Sequence, residues 1–395
     1  MSAVTRLRRL AGRIGREAAL YPGLVRGRGI TPRIAFLPSD SRVQSSLLRA
    51  YNIADELEKR GWATLVVPQQ LTLAQRRRVL SAFGPGLIVM QQCRHPLNRV
   101  GLLPDCPLVL DIDDADFLDP GLTEILAQTA RASVGVICGS RYIRDWAAQF
   151  SDNARVIWTT TPIRERAYPD AGRREPIVTW AQSSPLGYPA ELDFVAEVMT
   201  GVARRRGPTR FRLYGWDAGP EHPVLDRLRE TGLQVELLPF MGYDDFIDSL
   251  ATVAVGLSPI IPEGFSKGKS FGKILAYLDA GVPVICSDEV DHALFFTRDS
   301  GVVSNAPGVW VDQICRLLAD PGARTTMANA AHADYLRRLS TARGGELVLE
   351  FLDGLVRNPR AGPPDRMTRS QPAGPAPADA SSQSALAEQT SQGRG

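Results

Sequence analysis

The stretch EGFSKGKSFGK, residues 263–273, contains the residue types that bind phosphate groups. It lies between two apolar runs that predict a strand before it and a helix after it. Its Lys269 and Ser270 fit the end of the P-loop pattern GxxxxGK[ST], but Glu263 occupies the first glycine position. A triphosphate P-loop is therefore disfavoured, because that glycine allows the tight backbone wrap around the phosphates. Two interpretations remain open: a polar turn whose lysines face water, and a diphosphate site.

The diphosphate interpretation follows from the charge of this stretch. A helix that begins near Ser270 would direct free backbone N–H groups and a partial positive charge towards a bound anion. Lys269 and Lys273 would add two full charges at positions i and i+4, on one face of that helix. We favour this interpretation, in which the loop stabilises a diphosphate leaving group.

A second polar cluster, DIDDAD at 111–116, follows the apolar run PLVL. At the carboxyl end of a strand, Asp113 and Asp114 could accept a proton from an acceptor hydroxyl or orient that hydroxyl. Helix capping or turn formation is the alternative role for these carboxylates. An acidic triplet of this kind binds a metal ion in some enzymes, but a single triplet is only weak evidence for a metal site. We therefore predict no metal and no cofactor.

The loop PSDSRVQSS, after the first predicted strand, is a third candidate. It lacks the pattern GxGxxG, which disfavours a nicotinamide or flavin dehydrogenase. Arg42 and Ser45 in this loop could contact an acceptor or a phosphate. For Ser45 the alternative is a simple N-cap of the helix that follows.

Alternating short apolar runs and helical stretches must position these residues. Five runs predict parallel strands joined by helices, and five more restart the pattern after a connector near Pro162. The predicted fold class is α/β, with two Rossmann-like domains facing each other across a cleft. We place these domains at 31–165 and 170–340, followed by a helix at 341–358 and a disordered Pro-, Ala- and Ser-rich tail at 360–395.

Residues 1–30 form a basic segment with seven arginines and one glutamate, in a chain whose net charge is only +3. Apolar residues recur there at helical spacing, so the segment could lie on an anionic membrane or form an ordinary solvated helix. No apolar run is long enough to span a bilayer, and the small net charge does not indicate nucleic acid. Five dispersed cysteines favour a reducing, cytoplasmic compartment.

The stretch FSKGKSFGKILAYLDAGVPVICSD resembles the donor-binding segment of GT-B glycosyltransferases close to glycosyltransferase family 4. In one bacterial branch that segment runs roughly F-x-x-x-K-S-x-x-K-x-x-E-Y-x-x-x-G-x-P-V-[IV]. The matching residues are Phe265, Lys269, Ser270, Lys273, Tyr277, Gly281, Pro283 and Val284. Three further stretches, LVLDIDD, TWAQSS and GVWVDQICRLLADPGAR, resemble elements of the same branch, so the resemblance covers about residues 33 to 340.

This resemblance implies transfer of a hexosyl-type group from a nucleoside diphosphate sugar to an acceptor hydroxyl, in cell-surface polysaccharide or glycolipid synthesis. It implies a sugar or lipid-linked acceptor in the first domain and the nucleotide sugar in the second. The donor-binding candidates are Glu263, Lys269, Ser270, Lys273, Ser183 and Ser184. On the acceptor side they are Asp113, Asp114, Arg42 and Ser45.

Two positions depart from the family pattern. Ala276 holds the place of the ribose-binding glutamate, and Gly268 holds the place of a glutamate eight residues earlier. Glu263 lies close by in sequence and could reach the same pocket. These departures leave a second hypothesis, a catalytically inactive binding or scaffold protein with the same fold.

Overall fold

The computed structural model describes residues 12, 14–27, 29–40, 44–164, 168–219, 221–269 and 271–357. The predicted disordered tail at 360–395 lies outside these residues, and so do residues 1–11, 13 and 28 of the basic N-terminal segment. None of the described helices is both long enough and apolar enough to cross a bilayer.

The first half of the chain forms a six-stranded parallel sheet. Its strands are β1 (Arg33–Leu37), β2 (Ala63–Val66), β3 (Leu87–Gln91), β4 (Leu108–Ile112), β5 (Gly135–Cys138) and β6 (Ala154–Val156). They lie in the order β2-β1-β3-β4-β5-β6, the flavodoxin-like form of a doubly wound sheet. Strand order reverses between β1 and β3, so the crevice at their carboxyl ends is one expected ligand position.

A second six-stranded parallel sheet follows. Its strands are β7 (Ile177–Ala181), β8 (Arg210–Tyr214), β9 (Gln234–Leu238), β10 (Val255–Ser258), β11 (Val284–Cys286) and β12 (Val302–Val303). The order β12-β11-β10-β7-β8-β9 is that of a Rossmann sheet, with its switch point between β7 and β10. The predicted α/β class with two doubly wound sheets is thus confirmed, while the domain boundaries at 31–165 and 170–340 stay a prediction.

Helices cover both faces of each sheet. They are Tyr21–Arg26, Asn52–Lys59, Leu73–Phe83, Thr123–Ala132, Arg141–Ala147, Pro189–Arg206, Pro223–Glu230, Tyr243–Ser249, Leu275–Asp279, His292–Phe295, Pro307–Ala319, Pro321–Arg338 and Thr341–Arg357. A π-helical turn, Leu47–Tyr51, links the short helix Gln44–Ser46 to Asn52–Lys59. The last helix returns to the first half, where Val348 and Leu352 are buried in one apolar cluster with Ile53 and Leu57.

Local sequence explains where individual helices begin and end. Thr72 and Gln75 form a capping box at the start of Leu73–Phe83, and Gly84 ends that helix with φ +58°. A glycine takes this left-handed conformation without the steric cost that a side chain brings. Helix Pro189–Arg206 has proline at its first turn and three arginines in its last turn, which suit the two ends of the helix dipole.

Candidate functional site

An open cavity lies at the switch point of the second sheet, and the empty space in and above it, including open solvent, is about 340 Å³. The ends of β7 and β10 form its floor, and two loops form its walls. The polar residues that line it are Gln182, Tyr188, Glu191, Ser258, Ser266 and Lys269. A ligand is expected here because the two neighbouring crossover connections leave the sheet in opposite directions and open a crevice.

Tyr277 holds the two floor strands together. Its hydroxyl accepts a hydrogen bond from the backbone N–H of Ala181 on β7 (2.9 Å) and donates one to the carbonyl of Leu257 on β10 (3.2 Å). Burial raises the pKa of this phenol, so it stays protonated and can donate. The family-matching tyrosine therefore shapes the cavity floor from beneath.

Gly215, directly after β8, allows the backbone that follows β7 to approach the end of β8 closely. It has φ +75°, and a Cβ placed there would lie 1.8 Å from the carbonyl oxygen of Gln182. Only glycine fits this position, because any side chain would collide with the backbone after β7. The loop that carries Gln182 and Ser183 is thereby packed directly against the end of β8.

Lys269 lines the cavity, as the diphosphate hypothesis requires, but its backbone differs from the prediction. It follows the 3-10 turn Gly264–Gly268 in an extended conformation, with φ −63° and ψ 155°. The next regular α-helix is Leu275–Asp279, which begins after a second 3-10 turn, Phe271–Ile274. A helical segment does begin near Ser270, at Phe271, but its first turn is 3-10 rather than α-helical. Because Lys269 is extended, the predicted i, i+4 relation of Lys269 and Lys273 on one helical face is wrong.

The ammonium group of Lys269 lies 5.1 Å from the centroid of the Tyr188 ring. Tyr188 precedes helix Pro189–Arg206, and its ring lines the cavity together with Lys269. Ser270, the side chain of Lys273 and all of Arg42 lie outside the described residues.

The other predicted donor residues lie at unequal distances from this cavity. Ser183 follows Gln182 at the cavity edge and donates its backbone N–H to the Gln182 amide oxygen (3.0 Å). Ser184 caps the short turn Pro185–Gly187 in the same loop. Glu263 is exposed at the start of the turn Gly264–Gly268, and its side chain does not line the described cavity.

Ala276 is 7% exposed and belongs to the apolar cluster beneath β11. A different carboxylate, Glu191, lines the cavity, and the sequence analysis did not identify it. Glu191 is buried and accepts a hydrogen bond from the backbone N–H of Ile261 (3.2 Å). It shares the buried face of its helix with Val195 and Val198, and a charged residue on such an apolar face was the available signal.

The acidic cluster of the first half lies at the carboxyl end of β4. The strand ends at Ile112, so Asp113 and Asp114 lie in the turn that follows it. Asp111, inside the strand, is buried and accepts a hydrogen bond from Arg49 Nε (2.9 Å). Arg49 comes from the π-helical turn and also donates to the carbonyl of Ile157 (3.1 Å), so it anchors the start of the interdomain connector.

Asp113 is only 1% exposed. Its Oδ1 accepts a hydrogen bond from Gln92 Nε2 (2.6 Å), and Gln92 itself has an unusual positive φ of 50°. Burial, and next the neighbouring Asp114 carboxylate, raise the pKa of Asp113 to about 7. A carboxyl group with such a pKa can hold or release a proton near neutral pH.

Asp114 is the more accessible member of the pair. Its side chain is 19% exposed and accepts a hydrogen bond from Arg94 Nη2 (3.1 Å), which also binds the buried Asp116. Arg94 is 41% exposed, so one cation screens two carboxylates at the edge of the cleft. The cluster therefore does more than cap a helix or form a turn.

Ser45 lies at the switch point of the first sheet. Its hydroxyl accepts a hydrogen bond from Gln91 Nε2 (3.2 Å), and Ser46 donates to Gln91 Oε1 (2.8 Å). Ser45 lies within the helix Gln44–Ser46, so the N-cap role considered for it is wrong. The serines fix the end of β3 next to the acidic turn.

Loops at the carboxyl ends of both sheets meet across the cleft. The backbone N–H of Ala115 donates to the carbonyl of Gly268 (2.8 Å). Asp291 accepts from the backbone N–H of Arg141 (2.9 Å) and from Trp158 Nε1 (3.0 Å). Asp291 has φ +69° and follows Val290, which has φ +45°. Strain of this kind persists only where surrounding contacts hold the backbone, as they do at this junction.

Two Rossmann-like sheets whose carboxyl ends face each other, with a cavity at the switch point of the second, define the GT-B architecture. Solved structures confirm this fold. Sucrose-phosphate synthase from Thermosynechococcus elongatus is similar with a TM-score of 0.62 and 11% identity, over 82% of this chain and 99% of that protein. HepE of Anabaena, in complex with UDP and glucose, gives a TM-score of 0.59 and 15% identity, over 82% and 100%.

A glycosyltransferase from Rickettsia africae is also similar, with a TM-score of 0.60 and 10% identity over 82% of this chain and 99% of that protein. No protein-family model matches the chain, and no curated protein matches it. At these identities the comparisons establish the GT-B fold, and the resemblance to family 4 remains a hypothesis.

Proposed function

We propose that this protein is a glycosyltransferase that moves a hexosyl-type group from a nucleoside diphosphate sugar to an acceptor hydroxyl. The observation that carries this proposal is the position of Lys269. It lines the cavity at the switch point of the second sheet, beside the acidic turn of the first half. The similarity to HepE, solved in complex with UDP-glucose, supports a nucleotide-sugar donor. The family-matching residues support a place close to glycosyltransferase family 4.

In this mechanism the bond between the sugar and the diphosphate breaks, and the diphosphate leaves with the electron pair. Lys269 neutralises the charge that grows on the leaving oxygens, a stabilisation of about 3 kcal/mol for one well-placed donor. Lys273 and the backbone at Ser270 belong to the same proposed group, and Ser183 and Ser184 approach from the loop after β7. Protein cations supply this stabilisation, so the proposed site requires no metal.

The acceptor side lies at the acidic turn. Asp114 is the accessible carboxylate, and we assign it the contact with the acceptor hydroxyl. Asp113 lies behind it with a pKa near neutrality, so it can share the proton that the acceptor loses. Ser45, in the helix Gln44–Ser46 after β1, and Arg42, three residues earlier in the sequence, complete the proposed acceptor side.

The rival proposal is a nucleotide-binding or scaffold protein without transfer activity. The observations that favour it are the buried Ala276 at the usual glutamate position and the exposed position of Glu263. Two measurements distinguish the proposals: whether the cavity binds nucleotides, and whether a bound donor is consumed.

The test is a thermal-shift series with UDP, GDP and ADP, followed by mass spectrometry of products from a donor panel. A nucleotide at 100 times its dissociation constant should stabilise the protein by about 2.7 kcal/mol. Stabilisation together with loss of the sugar from one donor would support transfer. Stabilisation without turnover would favour the scaffold, and no stabilisation by any nucleotide would remove the donor site altogether.

We also propose that the N-terminal segment places the protein on an anionic membrane surface, at the cytoplasmic face. Three apolar side chains on the described part of this segment are exposed: Ile14 by 57%, Tyr21 by 52% and Val25 by 58%. Its only acidic residue, Glu17, points inward and pairs with Arg78 (2.8 Å). Arg16 is exposed beside this ion pair, and the seven arginines of the segment supply the positive charge that binding to anionic lipids requires.

The prediction is that Ile14→Ser/Tyr21→Ser/Val25→Ser weakens binding to phosphatidylserine vesicles at least about tenfold, because each exposed side chain can bury apolar area in the interface. Co-sedimentation measures this binding. The matched control is Val134→Ser/Val309→Ser, which removes two exposed valines elsewhere. Point variants are preferred to deletion of residues 1–28, because Leu24 is buried in the core of the first half. Equal binding of the triple variant and the wild type would disprove the membrane role.

A further inference from the structure

Gly268 makes a close backbone contact between the two halves of the protein. Its carbonyl accepts a hydrogen bond from the N–H of Ala115 (2.8 Å). A Cβ placed on Gly268 would lie 1.9 Å from the Cβ of Ala115 and 3.1 Å from its Cα. Both residues are buried, so neither can move aside into solvent to relieve such a collision.

This contact lies between the two functional loops. Lys269, which lines the cavity, directly follows Gly268, and Asp114 directly precedes Ala115. Since consecutive Cα atoms are about 3.8 Å apart, fixing Gly268 against Ala115 also fixes the lysine relative to the carboxylate. A second contact supports the same alignment, because the Lys267 ammonium lies 5.4 Å from the centroid of the Tyr142 ring in the first half.

The contact also gives a physical reason for one departure from the family pattern. A glutamate at position 268 could not occupy this backbone, because even its first side-chain carbon would collide with Ala115. Glycine at this position therefore does more than omit a carboxylate. It allows the turn Gly264–Gly268 to hydrogen-bond directly to the acidic turn of the other half.

We propose that Gly268 is a positioning residue, which holds the cationic loop of the second half against the acidic turn of the first half in a closed cleft. The effect of Gly268 on turnover rests on the proposed transfer function. The closed contact does not depend on that function, and it can be measured without substrate.

The test compares four proteins: wild type, Gly268→Ala, Ala115→Gly/Gly268→Ala, and the control Gly308→Ala. A Cβ on Gly308 meets no atom within 4 Å, and Gly308 is not among the glycines with positive φ. The double variant removes the Ala115 Cβ, the atom in the closest collision. Small-angle X-ray scattering without ligand should show a larger radius of gyration for Gly268→Ala only.

In steady-state kinetics with the active donor, Gly268→Ala should lower kcat about 100-fold, the cost of a misplacement of roughly 1 Å. The KM for the donor should change much less, because Lys269 stays within its own half. The double variant should recover at least tenfold in kcat. Thermal unfolding shows whether each variant is folded. If the collision with the Ala115 Cβ alone causes the defect, the double variant must fold and regain turnover.

A radius of gyration for Gly268→Ala equal to that of the wild type would overturn the proposal. A double variant that recovers neither the wild-type radius of gyration nor turnover would also overturn it. An enzyme with no turnover of any donor, but with the expected scattering series, would refute the transfer function and leave the closed contact standing. The two failures can therefore be told apart.

Discussion

Lys269→Ala is expected to lower turnover about 100-fold and to weaken UDP binding, while the protein stays folded. A well-placed cation that stabilises a developing anion contributes about 3 kcal/mol to the transition state, which corresponds to this factor. Lys269 lines the cavity at the switch point, and its ammonium lies 5.1 Å from the Tyr188 ring centroid. Loss of that cation–π contact should cost only about 1 kcal/mol of stability.

The matched control is Lys267→Ala, which removes the same charge two residues away. Lys267 contacts Tyr142 of the first half and does not line the described cavity, so its variant should keep its affinity for UDP, and only UDP binding is compared between the two variants. Titration calorimetry with UDP and with uridine separates the diphosphate contribution from that of the nucleoside. Equal loss in both lysine variants would show that overall charge, rather than the position of Lys269, determines binding.

Asp113→Asn should remove one contribution to the pH dependence of stability between pH about 4 and about 7, a contribution that lowers the free energy of unfolding as pH rises. In the folded protein the pKa of Asp113 is raised to about 7 from a usual value of 3.8, chiefly by burial. Between these values the folded state keeps a proton on Asp113 that the unfolded state releases, so the contribution of Asp113 to stability falls as pH rises. The slope can reach about 1.4 kcal/mol per pH unit, and the total loss is a few kcal/mol.

Urea unfolding from pH about 4 to about 8 measures this dependence. Below pH about 4 both states are protonated, and above pH about 7 both are ionised, so the Asp113 contribution to the slope should vanish at both ends. Asp105→Asn, at an exposed carboxylate, is the control and should keep the wild-type slope. If the free energy of unfolding of wild type and Asp113→Asn changed with pH in parallel, Asp113 would not be the buried proton carrier.

The sheets could be predicted because buried parallel strands appear as short apolar runs in alternation with helices. Ten of the strands follow such runs, from RIAFLP at β1 to GVPVICSD at β11. The two missed strands, β6 (Ala154–Val156) and β12 (Val302–Val303), are edge strands of three and two residues. Their length is too short for a periodic pattern, and their pairing is fixed by the tertiary structure.

The candidate site was predictable in its residue types but not in its geometry. The sequence indicated Lys269 from its charge and family match, yet Lys269 is extended and the helical segment after it opens with the 3-10 turn Phe271–Ile274. The difference arises because Gly268 is held by Ala115, more than a hundred residues away, which leaves Lys269 extended. Such long-range backbone contacts leave no periodic signal in the chain.

The acidic cluster shows the same limit. Four aspartates in DIDDAD indicated a polar strand end, but their partners Arg49, Gln92 and Arg94 come from distant elements. Burial, and next the Asp114 carboxylate, raise the pKa of Asp113, whereas Asp114 stays accessible beside Arg94. The roles of the two carboxylates therefore depend on tertiary packing rather than on their spacing.

The most direct test of the central claim is a crystal structure of this protein with UDP. We predict the nucleotide in the cavity between the ends of β7 and β10, with a diphosphate oxygen about 2.8 Å from Lys269 Nζ. UDP bound elsewhere, or in the cavity with the Lys269 ammonium turned away from the diphosphate, would contradict the proposed donor site.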